Sequence, residues 1–121
     1  MPTSDPEALA GWMIPESGGT LEDYLERFER TLAVLQSREA LTRVSRELVI
    51  DAAAENVRYL EIRFCPALNT RDGLSLEEVL EASWQGILDG EKATEVPARL
   101  IVCGLRNFDP RISVELAELA V

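Results

Sequence analysis

The sequence predicts an α/β fold built on two parallel strands. Two short apolar runs, Tyr59–Phe64 and Ala98–Arg106, have strand-like patterning. The residues between them recur at helical spacing and are numerous enough to cross over a sheet. Further helical spacing precedes the first run and follows the second. Strand, crossover helix and strand form a βαβ unit, which demands parallel pairing.

The elements follow in order. Residues 1–19 are expected to form an irregular lead-in, punctuated by Pro2, Pro6, Pro15, Gly11, Gly18 and Gly19, with Trp12-Met13-Ile14 as a short apolar anchor. A domain over 20–121 then begins with a helix. Thr20 and Asp23 approximate a capping box, and Leu21, Tyr24, Leu25, Phe28, Leu32 and Leu35 share one face. Ser37 is a second N-cap candidate, and Leu41, Val44, Leu48 and Ala52 carry a long helix to about Asn56.

The period changes at Arg58. Leu60, Ile62 and Phe64 fall on one face of a strand and Tyr59, Glu61 and Arg63 on the other, until Cys65-Pro66 stops it. The loop Asn69–Gly73 leads to Ser75-Leu76-Glu77-Glu78, a capping box by its S-x-x-E spacing. The helix it opens runs to about Lys92, with Leu76, Val79, Leu80, Ile87 and Leu88 as its apolar stripe. The second strand, over Ala98–Arg106, is nearly continuous in apolar residues at its centre, which suits a strand covered on both faces. Asp109-Pro110 marks a last helix, through Val114, Ala117 and Ala120, with no glycine or basic turn to close it at Val121. Two parallel strands alone keep unpaired edges and a bare face. The expectation is a chain that wants neighbours it does not contain.

Composition narrows the function classes. At 121 residues the chain is one small domain, and 46% hydrophobic with 28% charged residues suits a soluble globular core. No apolar run approaches the ~18–20 residues that cross a bilayer. Met1–Glu7 lacks the basic start and apolar core of a secretory signal, so the expected location is cytoplasmic. The net charge of −10, from 22 acidic and 12 basic residues, disfavours nucleic acid and anionic membranes as partners. Acids interleaved with arginines, as in Glu22-Asp23, Glu26-Arg27 and Glu29-Arg30, read as i,i+4 patterning on a solvated helix face.

Catalytic constellations are sparse. The sequence has no histidine, so it holds no H-x-H, no H-E-x-x-H and no Ser-His-Asp triad. Neither strand opens into a phosphate-binding glycine loop. Gly18, Gly19, Gly73, Gly86, Gly90 and Gly104 read as scattered turn, helix and strand positions. Cys65 and Cys103 cannot by themselves make a structural zinc site, which wants four nitrogen or sulfur ligands. Both read as buried or half-buried thiols rather than a disulfide. In a closed barrel, alternate strand residues point inward and the C-terminal strand ends frame the active site. Glu61, Arg63 and Arg106 would then either orient a substrate and brace metal-binding neighbours, or fill the interior with a Glu–Arg charge network.

Several collinear stretches resemble one family. Tyr59-Leu60-Glu61-Ile62-Arg63-Phe64-Cys65-Pro66-Ala67-Leu68, continued by Thr70–Val79, is similar to the segment through the second barrel strand of adenosine deaminases. Leu100–Arg106 is similar to their third strand, and Thr20–Phe28 to the helix that closes over the purine site. The resemblance covers roughly residues 14–121 and implies a partial (β/α)8 TIM barrel, two parallel strands with flanking helices. It implies a substrate, adenosine or a related 6-aminopurine, which the intact family enzyme converts to its 6-oxo product and ammonia with zinc-activated water. The family's zinc ligands, its proton-donating glutamate and its catalytic histidine have no counterpart here, so the isolated chain is expected to bind no zinc and to be inactive.

What the resemblance does carry over is substrate-binding. Tyr24, Leu25 and Phe28 match an apolar lid over the purine and its sugar, Cys65 and Leu68 the pocket rim past the second strand, and Leu105 and Arg106 the end of the third. Asn69 and Asn107 stand where many relatives have histidine, and Cys65 where serine is common. The rival expectation is a non-catalytic α/β module that self-associates, or docks with a complementing chain, through exposed sheet edges.

Overall fold

A computed structural model of the protein describes residues 5–14 and 19–121, with Glu26 described by its backbone alone. The chain falls into two compact units, Met1–Val34 and Leu35–Val121.

The first unit corrects the irregular lead-in. Pro6–Met13 is a helix, α1. Asp5 caps it by accepting the Glu7 N–H at 3.0 Å. Pro6 stands in the first turn, where a missing N–H removes no hydrogen bond, so it starts the helix instead of interrupting it. Pro2, Pro15 and Gly18 lie outside the described residues. The expected three-residue anchor reduces to Trp12, since Met13 and Ile14 are exposed. Arg27 holds it: its Nη1 donates to the carbonyls of Trp12 and Ile14, and its guanidinium lies 5.5 Å from the Trp12 ring centroid. Carbonyls at a helix end lack intrahelical partners, and the guanidinium supplies them while stacking on the indole. The second helix, α2, spans Leu21–Val34. Its capping box forms as the spacing predicts, Thr20 N–H donating to Asp23 Oδ2 at 2.8 Å and Asp23 N–H to Thr20 Oγ1 at 3.2 Å.

The second unit contains α3 (Arg38–Ala54), β1 (Leu60–Phe64), a 3-10 turn over Pro66–Asn69, α4 (Leu76–Thr94), β2 (Ala98–Val102) and α5 (Pro110–Leu119). Ser37 caps α3, and Asn56, with φ 65°, turns the chain left-handed after it. Both halves of the Ser75–Glu78 capping box are present, at 2.9 and 3.1 Å. Asp109 caps α5 ahead of Pro110.

The strands pair in parallel, from Leu60↔Ala98 to Phe64↔Val102. The second strand is shorter than expected, ending at Val102 rather than Arg106. Cys103 N–H still donates to Phe64 O at 3.1 Å. The next rung would need an N–H from residue 66, and that residue is proline.

One sheet face is covered. Leu60, Ile62 and Leu100 pack on Val49, Ile87 and Ala98, while Phe64 joins Leu35 and Leu74 around Leu41, Val79 and Ala82. On the other face Glu61, Arg63 and Arg99 are exposed and Ile101 is 40% exposed. The expected two-sided cover of β2 is therefore not supplied by the described residues.

Gly86 and Gly90 are not scattered. With Ala82 they form a stripe at four-residue spacing along α4 that faces α3. A Cβ on Gly86 would stand 2.2 Å from the Thr42 carbonyl oxygen, and one on Gly90 2.6 Å from Val49 Cβ. Thr42 Oγ1 fastens the crossing by donating to Ala82 O at 2.9 Å.

Candidate functional site

At the end of β1, Cys65 keeps extended geometry (φ −104°, ψ 105°) and is 5% exposed. The Leu68 N–H donates to the Cys65 carbonyl at 3.1 Å, and the backbone amides of Ala67, Leu68 and Leu105 favour the Cys65 thiolate. Burial pushes the Cys65 thiol above its ordinary value, outweighing the three amides, and nearby Cys103 acts in the same direction.

The loop after β1 is clamped by two buried amides. Asn69, 3% exposed, donates from Nδ2 to Leu35 O at 2.7 Å. Gln36 donates from Nε2 to Leu68 O at 3.0 Å and accepts the Arg71 N–H at 2.9 Å. Asn69 is thus committed to backbone, not turned toward a substrate. Gln36 was not legible as a site residue; its one signal is an amide placed between apolar Leu35 and the Ser37 cap.

At the end of β2 the chain turns tightly, with Phe108 N–H donating to Leu105 O at 3.1 Å. Leu105 is half-buried, while Arg106 and Asn107 are exposed. Arg106 has no hydrogen bond or ion pair among the described residues, which leaves its charge available to an anionic or polar group.

The expected Glu–Arg network does not assemble among the described residues. Glu61 accepts from the Tyr59 hydroxyl at 2.9 Å, a bond that raises the phenol's pKa. Arg99, opposite Glu61 in the register, turns instead to Glu91 at 3.1 Å and to Ala98 O at 2.6 Å.

Within the first unit, Tyr24, Leu25 and Phe28 are roughly half-exposed on α2. Tyr24 and Phe28 meet edge to face, ring centroids 5.1 Å apart at 80°. The structure therefore brings together Tyr24 with Phe28, and Cys65 with Leu68 and Leu105. A groove of about 550 Å³ runs along β2, lined by Glu77, Leu80, Trp84, Leu100 and Leu119 among others, and takes in none of these residues.

Metal chemistry finds no ligand set among the described residues. The sequence has no histidine, and the described residues contain no group of three Cys, Asp or Glu side chains that could hold an ion. The described residues do not fit the zinc that the resemblance implies.

The adenosine deaminase family profile matches residues 1–121. The chain belongs to the adenosine deaminase family. It is 48% identical over 120 residues to a probable adenosine deaminase of Dictyostelium discoideum, covering 98% of this chain and 16% of that protein. It is 43% identical over 127 residues to an adenosine deaminase of Mycobacterium avium, covering 100% of this chain and 34% of that protein. Among solved structures, an adenine deaminase from Arthrobacter aurescens superposes with a TM-score of 0.80 at 26% identity, covering 98% of this chain and 35% of the other. The two parallel strands and their flanking helices are thus a portion of a (β/α)8 barrel, and this family member spans about a third or less of the curated relatives compared.

Proposed function

We propose that this chain supplies the second and third strands, and part of the substrate-binding wall, of a cytoplasmic hydrolase that deaminates adenosine or a related 6-aminopurine. The observation that carries this reading is collinearity, since the family match runs over the entire chain. Tyr24, Leu25 and Phe28 offer an exposed apolar and aromatic face suited to covering a purine ring. Cys65, Leu105 and Arg106 stand at the strand ends, where barrel active sites form. Arg106 brings an exposed cation to that rim, able to donate to a ribose hydroxyl or a purine ring nitrogen. The ligands for zinc come from outside these residues, and the isolated chain is inactive.

The open face of Glu61, Arg63, Arg99 and Ile101 is the one observation that favours docking with a complementing chain. Two measurements test the proposal, and the second separates the readings. Purified chain is assayed for bound zinc and for inosine formed from adenosine, and neither should be found; stoichiometric zinc with inosine would overturn the proposal. A chimaera carrying residues 20–121 in place of the matching segment of the Mycobacterium avium relative should deaminate adenosine, whereas a pure interaction module would leave a folded but inactive barrel.

A further inference from the structure

We propose that Cys65 and Cys103 form a redox-convertible pair, in which oxidation joins them in a disulfide tying the C-terminal ends of β1 and β2. The inference is independent of the deaminase reading. Strand register runs unbroken to Phe64↔Val102, so the next residues on each strand, Cys65 and Cys103, stand side by side. Cys65 remains extended, and the Cys103 N–H to Phe64 O bond holds Cys103 in line with it. Paired residues on neighbouring strands point to the same face and lie ~4.8 Å apart, inside the ~4.4–6.8 Å Cα window of a disulfide. The two thiols also interact electrostatically, as neighbours must. Pro66 ends the ladder immediately beyond them, so the strand ends can adjust to the bond without breaking a further rung.

The chemistry needs an oxidant, and a low-molecular-weight disulfide supplies it. Cys103 is the more exposed sulfur and meets the oxidant first. Its thiolate attacks one sulfur of the small disulfide, whose S–S bond breaks and releases one thiol. The Cys65 thiolate then attacks the Cys103 sulfur of the mixed disulfide and expels the second thiol. The protein loses two protons and two electrons, and both are recovered in the two thiols released. In a reducing compartment the pair stays as thiols, the state in the present structure.

The test is incubation of the native chain with glutathione disulfide, followed by acid quench, denaturing alkylation and intact mass. A monomer lighter by two hydrogens, with no alkylated cysteine and a peptide joining residues 65 and 103, is the expected result. Two alkylated thiols, two stable glutathione adducts or only intermolecular dimers would overturn the proposal. Cys65→Ser should stop at one glutathione adduct on Cys103. Should that variant not fold, Cys103→Ser, changed at the less buried position, must retain a free Cys65 through the same treatment; its oxidation as fast as the parent pair would refute Cys103 as the entry sulfur.

Discussion

Replacing Gly86 with alanine puts a methyl group where the backbone of α3 already stands. The new Cβ would lie 2.2 Å from the Thr42 carbonyl oxygen and 2.8 Å from Ser45 Cβ. Non-bonded heavy atoms settle near ~3.5 Å. A helical carbonyl cannot rotate aside, so α3 and α4 must part by about 1 Å to relieve the contact. Parting strains the Thr42 Oγ1 bond to Ala82 O and loosens Val49 against Ile87. Overpacking of this kind costs about 1–3 kcal/mol, and the weakened hydrogen bond about 1 kcal/mol. Alanine's better helix propensity offsets about 1 kcal/mol. The net expectation is a loss of about 2 kcal/mol, which lowers the melting temperature of a unit this size by about 10 °C. Far-ultraviolet circular dichroism during heating measures it. A melting temperature equal to or above that of the parent would show that the two helices do not approach this closely.

Gly11→Ala is the matched contrast: nothing lies within 4 Å of the added Cβ, so α1 should gain about 0.5–1 kcal/mol, read as slower amide exchange in that helix. Asn69→Ala strips the buried Leu35 carbonyl of its donor and should cost about 1–3 kcal/mol in urea unfolding; an unchanged midpoint would mean that the clamp contributes nothing. The Glu78 carboxyl is held below its ordinary value of 4.5, first by the Ser75 backbone N–H. Its contribution is complete above that value and is lost as pH falls through the lowered one, so Glu78→Gln should flatten the acid side of the stability profile. An identical acid slope in the variant would contradict that assignment.

Most of the fold was legible because local signals agreed with the tertiary outcome. Thr20–Asp23, Ser37, Ser75–Glu78 and Asp109-Pro110 each start a helix where the spacing placed one. Alternation in Leu60–Phe64 identified the buried face of β1. The misses have physical causes. Pro6 reads as punctuation in the sequence, although at the first turn it is compatible with a helix. The run Ala98–Arg106 suggests a longer strand, but its length is set by Pro66 on the neighbouring strand, which no inspection of the run itself reveals. Gly86 and Gly90 carry no pattern until α3 is laid against them. For the candidate site, the strand-end positions followed from parallel topology, whereas Gln36 and Asn69 join segments distant in sequence. The lid residues drew their role from family resemblance alone, since helical periodicity treats Tyr24, Leu25 and Phe28 as ordinary packing.

The Gln36–Asn69 clamp has a consequence for the order in which the second unit assembles. Hydrogen bonds of the clamp join residues 32, 34 and 35 positions apart. The loop after β1 therefore receives its shape from a distant segment, and closing that span costs chain entropy before any bond is made. Such a loop should acquire protection late, once α3 has docked, and lose it early on unfolding. The Arg71 amide, which donates to the Gln36 side chain, is a natural reporter of that step. Its hydrogen-exchange rate would time the moment at which the rim beyond β1 becomes fixed.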